Sequence, residues 1–189
     1  MRLLIASILS VETDGDMIPV GVIVLGGAML VIIILIHGAG LDRIVARYKR
    51  KAGMLRERSW HPSLAMFVFA GAILLMLFLH MAEVCLWGLA LRSFGLVLNF
   101  RDAAYFSANT YTTLGMGPML LPHSWRELSP MISITGLFTF AWTTSEMFNI
   151  VGYHHDLVAE LSAKRHQRSE SRRTDHNPAR KEGATNPGR

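Results

Sequence analysis

From Ile18 to Ile36 the chain runs for 19 residues without a charge. A helix crossing the hydrocarbon of a bilayer needs about 20 such residues. Leu64 to Leu79 is a second uncharged run, and apolar character continues to Leu91. Met131 to Val151 is a third, broken only by Glu146 and scattered serines and threonines. Helices of soluble proteins alternate an apolar stripe with a polar face, and these runs do not. At 189 residues the chain has one domain's length. With 51% hydrophobic residues and a mean hydropathy of +0.31, it reads as an all-α integral membrane protein with three transmembrane helices.

The net charge of +5 is unevenly spread. Residues 38–62 hold Arg43, Arg47, Lys49, Arg50, Lys51, Arg56 and Arg58 against Asp42 and Glu57, seven positive to two negative. Residues 92–127 hold only Arg92, Arg101 and Arg126, whereas the tail from Gly152 carries eight Lys or Arg. Basic loops stay cytoplasmic. This predicts an outer segment 1–17, a first span 18–37, a basic cytoplasmic loop 38–62 and a basic cytoplasmic tail 152–189. The expected location is the cell's inner (plasma) membrane, with the N-terminus outside. Met1 to Leu9 reads as a short interfacial segment, since acidic Glu12-Thr-Asp-Gly-Asp16 follows with no small-residue cleavage site. The basic stretches read as orientation signals and contacts for anionic lipid headgroups, not as a nucleic-acid surface. From His166 onward apolar residues almost vanish, so disorder is expected. His154, His155, His166 and His176 read as solvated side chains. The lone Cys85, inside the second span, has no intrachain partner.

The outer segment after the second span is too long for a turn. Asp102 suits a helix N-cap, Ala103, Ala104 and Ala108 favour helix, and Tyr105, Phe106 and Tyr111 are apolar enough to enter the membrane. A helix over 102–112 reaches only about 15 Å, half a bilayer. The chain then returns outward through Leu114 to Leu121. Irregular backbone at membrane depth survives only inside protein or along a wet cavity, so several copies around an axis are needed. The return begins with Thr113-Leu114-Gly115-Met116-Gly117. Gly115 and Gly117 admit backbone conformations that other residues avoid, which lets successive carbonyl oxygens face one path. Such a row replaces the water shell of a dehydrated cation. The preceding helix directs its negative end there, and the ligands on offer, with the Thr113 hydroxyl, are hard oxygens.

Tyr105-Phe-Ser-Ala-Asn-Thr-Tyr-Thr-Thr-Leu-Gly-Met-Gly117 resembles the pore helix and filter of the tetrameric potassium channel superfamily, whose filter usually reads Thr-Val-Gly-Tyr-Gly. Gly136-Leu-Phe-Thr-Phe-Ala-Trp-Thr-Thr144 resembles that family's inner helix with its hinge glycine. His80-Met-Ala-Glu-Val-Cys-Leu-Trp87 is similar to small bacterial ion-channel proteins. The resemblance covers residues 63–151: an outer helix 63–91, a pore helix 102–112, a filter 113–117 and an inner helix 131–151. The first span lies outside it, with Gly21, Gly26 and Gly27 allowing a neighbour to approach closely. The resemblance implies a homotetrameric, passive cation channel conducting potassium. It implies no cofactor beyond the permeant ion, no catalytic residue, and no partner except itself and lipid. Two positions depart from the pattern. Met116 stands where a tyrosine is usual, and Pro118 replaces an acid and removes an N–H. A weakly selective cation pore therefore stays open, as does a non-conducting channel-like subunit of another membrane protein.

Leu137, Phe140, Thr144 and Phe148 share one helical face. By position against the family's inner helix, Leu137, Phe140 and Thr144 line the cavity, and Phe140 with Phe148 makes an apolar constriction. Gly136 is a hinge or a close-packing point. Glu146, about 200° around the helix from Thr144, is expected to pair elsewhere. His80 and Glu83 share a face of the second span, and an intramembrane acid is a functional hypothesis by default. With Asp102, Tyr105, Phe106, Asn109 and Thr112 they are expected to support the filter. Glu83 would act through Asn109 or Tyr105, or else reach the headgroups. Trp87 reads as an interface anchor. No span carries arginines at three-residue spacing, so voltage sensing is not expected.

Overall fold

The computed structural model describes residues 20–58, 62–115 and 119–175. They form four helices: α1 (Val20–Arg58), α2 (Pro62–Ser93), α3 (Phe100–Tyr111) and α4 (Leu128–Asp175), with a single 3-10 turn at His123–Trp125. No strand occurs among the described residues. Two compact units result, one from residues 1–44 and 74–146, the other from 45–73 and 147–189.

α1 and α2 are each long and apolar enough to cross a membrane, their most apolar 18-residue windows having mean hydropathies of 2.8 and 2.4. Only 22% of each apolar window is buried within the chain. A soluble core helix would bury most of it, so these surfaces suit lipid or further protein. α4 is more polar. Its Thr135, Thr139 and Thr144 hydroxyls are turned back onto the carbonyls of Met131, Thr135 and Phe140, which hides them from an apolar surround.

Two expected irregular segments are helical. The basic stretch expected as a loop over 38–62 continues α1 as far as Arg58. Leu41, Ile44, Tyr48, Ala52 and Leu55 recur at three- and four-residue spacing and are all buried, so packing overrides Gly38 and Gly40. The tail expected to disorder from His166 stays helical to Asp175. Ile150, His154, Leu157 and Leu161 form its buried stripe, and a His166–Glu170 pair at 3.4 Å supports the turn beyond. The expected segment 1–17 and residues 176–189 lie outside the described residues.

The second unit is held by ring contacts and one ionic clasp. Tyr48 meets Tyr153 edge-on at 6.0 Å, and Phe69 stacks on His154 at 4.5 Å. Glu160 receives Arg56 at 2.7 Å and Lys164 at 3.0 Å.

The first unit contains the main core: Ile33 of α1, Val84, Trp87 and Leu91 of α2, Ala103, Phe106 and Tyr111 of α3, and Leu128 and Ile132 of α4. Trp87, expected at the membrane surface, is 1% exposed in this core. Small residues set the spacing. A Cβ on Gly26 would meet Met131 and Leu128 of α4, and one on Gly88 would stand 3.0 Å from the Ala104 backbone of α3. Gly27 faces open space.

A candidate ion filter and its buried support

The N-cap of α3 is Asn99, not Asp102. Asp102 sits three residues inside, where Asn99 Nδ2 reaches its carboxylate at 3.3 Å and its charge suits the positive helix end. At the other end, Leu114 N–H bonds the Asn109 carbonyl at 2.9 Å and Thr113 N–H bonds that of Thr110 at 3.0 Å. This pairing closes a helix around one left-handed residue, usually glycine. α2 ends identically: Leu96 N–H bonds Leu91, Gly95 N–H bonds Arg92, and Gly95 has φ 72°. In α3 the left-handed residue is Thr113, at φ 58°. A β-branched residue there is strained by about 1–2 kcal/mol.

Gly115 follows at φ 115°, while Leu114 between them stays out of the positive region. Alternate residues thus reverse the backbone, the pattern that turns successive carbonyls to one side. Thr112, Thr113, Leu114 and Gly115 are all exposed, Leu114 at 80%. Thr112 Oγ1 bonds the Ala108 carbonyl at 2.7 Å. Met116 and Gly117, expected to complete the filter, and Pro118 lie outside the described residues.

Phe106 is fully buried beneath the helix, whereas Tyr105 is 61% exposed. Asn109 Nδ2 donates to the Tyr105 carbonyl at 2.7 Å. Neither Tyr105 nor Asn109 is the residue that bonds Glu83. Glu83 is fully buried and does not reach out to headgroups. It accepts from Tyr111 Oη at 2.5 Å and pairs with His37 Nδ1 of α1 at 2.7 Å. His80, also buried, bonds Tyr111 Oη through Nδ1 at 2.9 Å and Thr143 Oγ1 through Nε2 at 3.0 Å. Thr143 Oγ1 lies 3.1 Å from His37 Nε2, and Thr139 Oγ1 lies 2.6 Å from Tyr111 Oη. Four helices therefore meet on the last residue of α3, two positions before Thr113. A buried polar group must find partners, and that rule points to His80 and Glu83 in the sequence. It does not identify His37, Tyr111, Thr139 and Thr143 as the partners.

On α4, Gly136 is buried, and a Cβ there would collide with the Tyr111 carbonyl. It is a close-packing point in an unbroken helix. Leu137, Phe140 and Phe148 are 58%, 38% and 73% exposed, and Thr144 is exposed as well. Phe140 also stacks on the His80 ring at 4.3 Å. Glu146 is half-buried. The strained threonine, the reversed backbone and the uncovered apolar face lie on one stretch of chain, from α3 into α4.

Residues 63–152 match a family model described as an ion channel. No curated protein and no solved structure matches the chain.

Proposed function

From the match of residues 63–152 to an ion-channel family model, we propose that four copies of this chain surround one pore and pass cations passively, potassium above others. The observation that supports this most is the end of α3. A helix closed by a strained threonine empties into exposed backbone whose alternate residues, Thr113 and Gly115, take positive φ.

In this reading α1, α2 and the first half of α4 cross the plasma membrane, with the N-terminus outside and the basic ends cytoplasmic. Four α3 helices aim their negative ends at the axis. Four copies of Thr113 to Gly117 supply hard carbonyl oxygens that replace the ion's water. Thr113 adds a hydroxyl. Leu137, Phe140 and Thr144, exposed among the described residues, face the cavity or a neighbouring copy, and Phe148 narrows the inner end. No proton, electron or group is transferred, so no residue acts as acid, base or nucleophile.

Met116 favours a second reading, a weakly selective cation pore. Met is flexible and lacks the ring and hydroxyl that usually brace this position. Purified protein in liposomes tests conduction itself. Cation flux above empty vesicles is expected, carried by a particle of four chains. A folded oligomer with no flux would instead favour a non-conducting subunit.

A further inference from the structure

We propose that His37, on a helix outside the ion-channel domain, is a positioning residue for the filter, acting through a closed hydrogen-bonded ring that holds one shared proton. This rests on the filter reading above. The ring runs Glu83 Oε1 to His37 Nδ1 at 2.7 Å, His37 Nε2 to Thr143 Oγ1 at 3.1 Å, Thr143 Oγ1 to His80 Nε2 at 3.0 Å, His80 Nδ1 to Tyr111 Oη at 2.9 Å, and Tyr111 Oη to Glu83 Oε2 at 2.5 Å. It returns to the carboxyl group on which it began. His37, His80, Glu83, Thr143 and Tyr111 are all buried.

Each link needs one hydrogen. Neutral His37, neutral His80, Tyr111 and Thr143 bring one apiece, and a carboxylate brings none. Five links therefore share four hydrogens unless the ring takes up one more. With that proton, on Glu83 or on an imidazole, every link is made and the ring is neutral overall. Without it, two lone pairs face each other across one link, and a net negative charge lies buried, which is costly. The groups facing the ring are His37 from α1, His80 and Glu83 from α2, and Tyr111 from α3. α4 presents the hydroxyls of Thr139 and Thr143 and the rings of Phe140 and Trp142.

The consequence falls on Tyr111. Its side chain is fixed by the ring, its carbonyl rests on Gly136, and the left-handed Thr113 follows two residues later. α1 thus controls the register of the filter entrance without touching it.

His37, His80 and Glu83 also offer donor atoms within 4.8 Å of one another. Two ligands of one tetrahedral zinc stand roughly 3.3 Å apart. The 2.7 Å between Nδ1 and Oε1 fits a shared proton and not two ligands of one metal.

The experiment compares wild type with His37→Asn, His37→Gln and His37→Ala, each in the full chain. The readouts are amide-exchange protection of residues 108–115 and flux selectivity. An Asn amide stands near the imidazole Nδ1 and serves Glu83 whether that group is ionised or not. A Gln amide stands near Nε2 and serves Thr143 only. His37→Asn, which keeps a donor for Glu83, should keep most of the wild-type protection. His37→Gln and His37→Ala should lose about tenfold in protection and show altered selectivity while retaining bulk helicity. Equal protection in all four proteins, or stoichiometric zinc in the purified wild type, would overturn the proposal. Protection needs no conduction, so absence of flux in wild type counts against the channel reading and not against the ring.

Discussion

At the scale of single residues, the same helix-ending turn occurs twice, with glycine in one copy and threonine in the other. Gly95 adopts it freely, while Thr113 adopts it at a cost. Thr113→Gly should therefore raise unfolding stability by about 1 kcal/mol while reducing cation discrimination, because the hydroxyl and the stiff backbone are lost together. Thermal unfolding and ion-competition flux check the two halves separately. Tyr111→Phe removes the donor to a buried carboxyl group and should destabilise by about 1–3 kcal/mol, read by thermal unfolding in detergent. Gly136→Ala should cost about 1–3 kcal/mol by overpacking against the Tyr111 carbonyl and reduce flux. The candidate filter segment is legible in the sequence because the chemistry proposed for it is local: threonine, glycine and a short helix lie side by side. The support was half legible. A buried acid three residues from a histidine demanded partners, but His37 lies 46 residues away and Thr143 lies 63 residues from His80. Nothing in sequence spacing selects partners at that range.

Among the elements, hydropathy marked where α1 and α2 are apolar but not where they end. The apolar run stops at Ile36, yet α1 continues to Arg58, because a buried stripe from Leu41 to Leu55 replaces uniform apolarity with an amphipathic face. The basic residues expected in a loop sit on that helix. Where α1 and α4 meet in the second unit, Glu160 is held below the usual carboxylate range, mainly by its hydrogen bond to Lys164 and further by Arg56. A lowered carboxyl stabilises above its unfolded value and loses that contribution as pH falls through the folded one. The clasp should thus be intact at neutral pH and open only below the ordinary carboxylate range. Spin-label distances between exposed positions on the two helices near residues 56 and 160 should stay constant on acidification to that point and widen beyond it. Because the pair is exposed, Glu160→Gln should leave the melting temperature nearly unchanged.

For the molecule as a whole, a single chain leaves its most informative surface uncovered. Among the described residues, Thr112 to Gly115 and the face of Leu137, Thr144 and Phe148 are exposed. Irregular backbone at membrane depth requires protein or water around it, which is why the filter reading and the fourfold assembly stand or fall together. The choice of ion is a narrower matter, since Met116 and Pro118 change the surroundings of the carbonyls without removing them. The most direct measurement is the reversal potential of the purified protein in a planar bilayer separating potassium from sodium. Potassium-selective conduction predicts a value close to the potassium equilibrium potential. A conducting protein that reverses near zero, or a folded tetramer that carries no current, would contradict it.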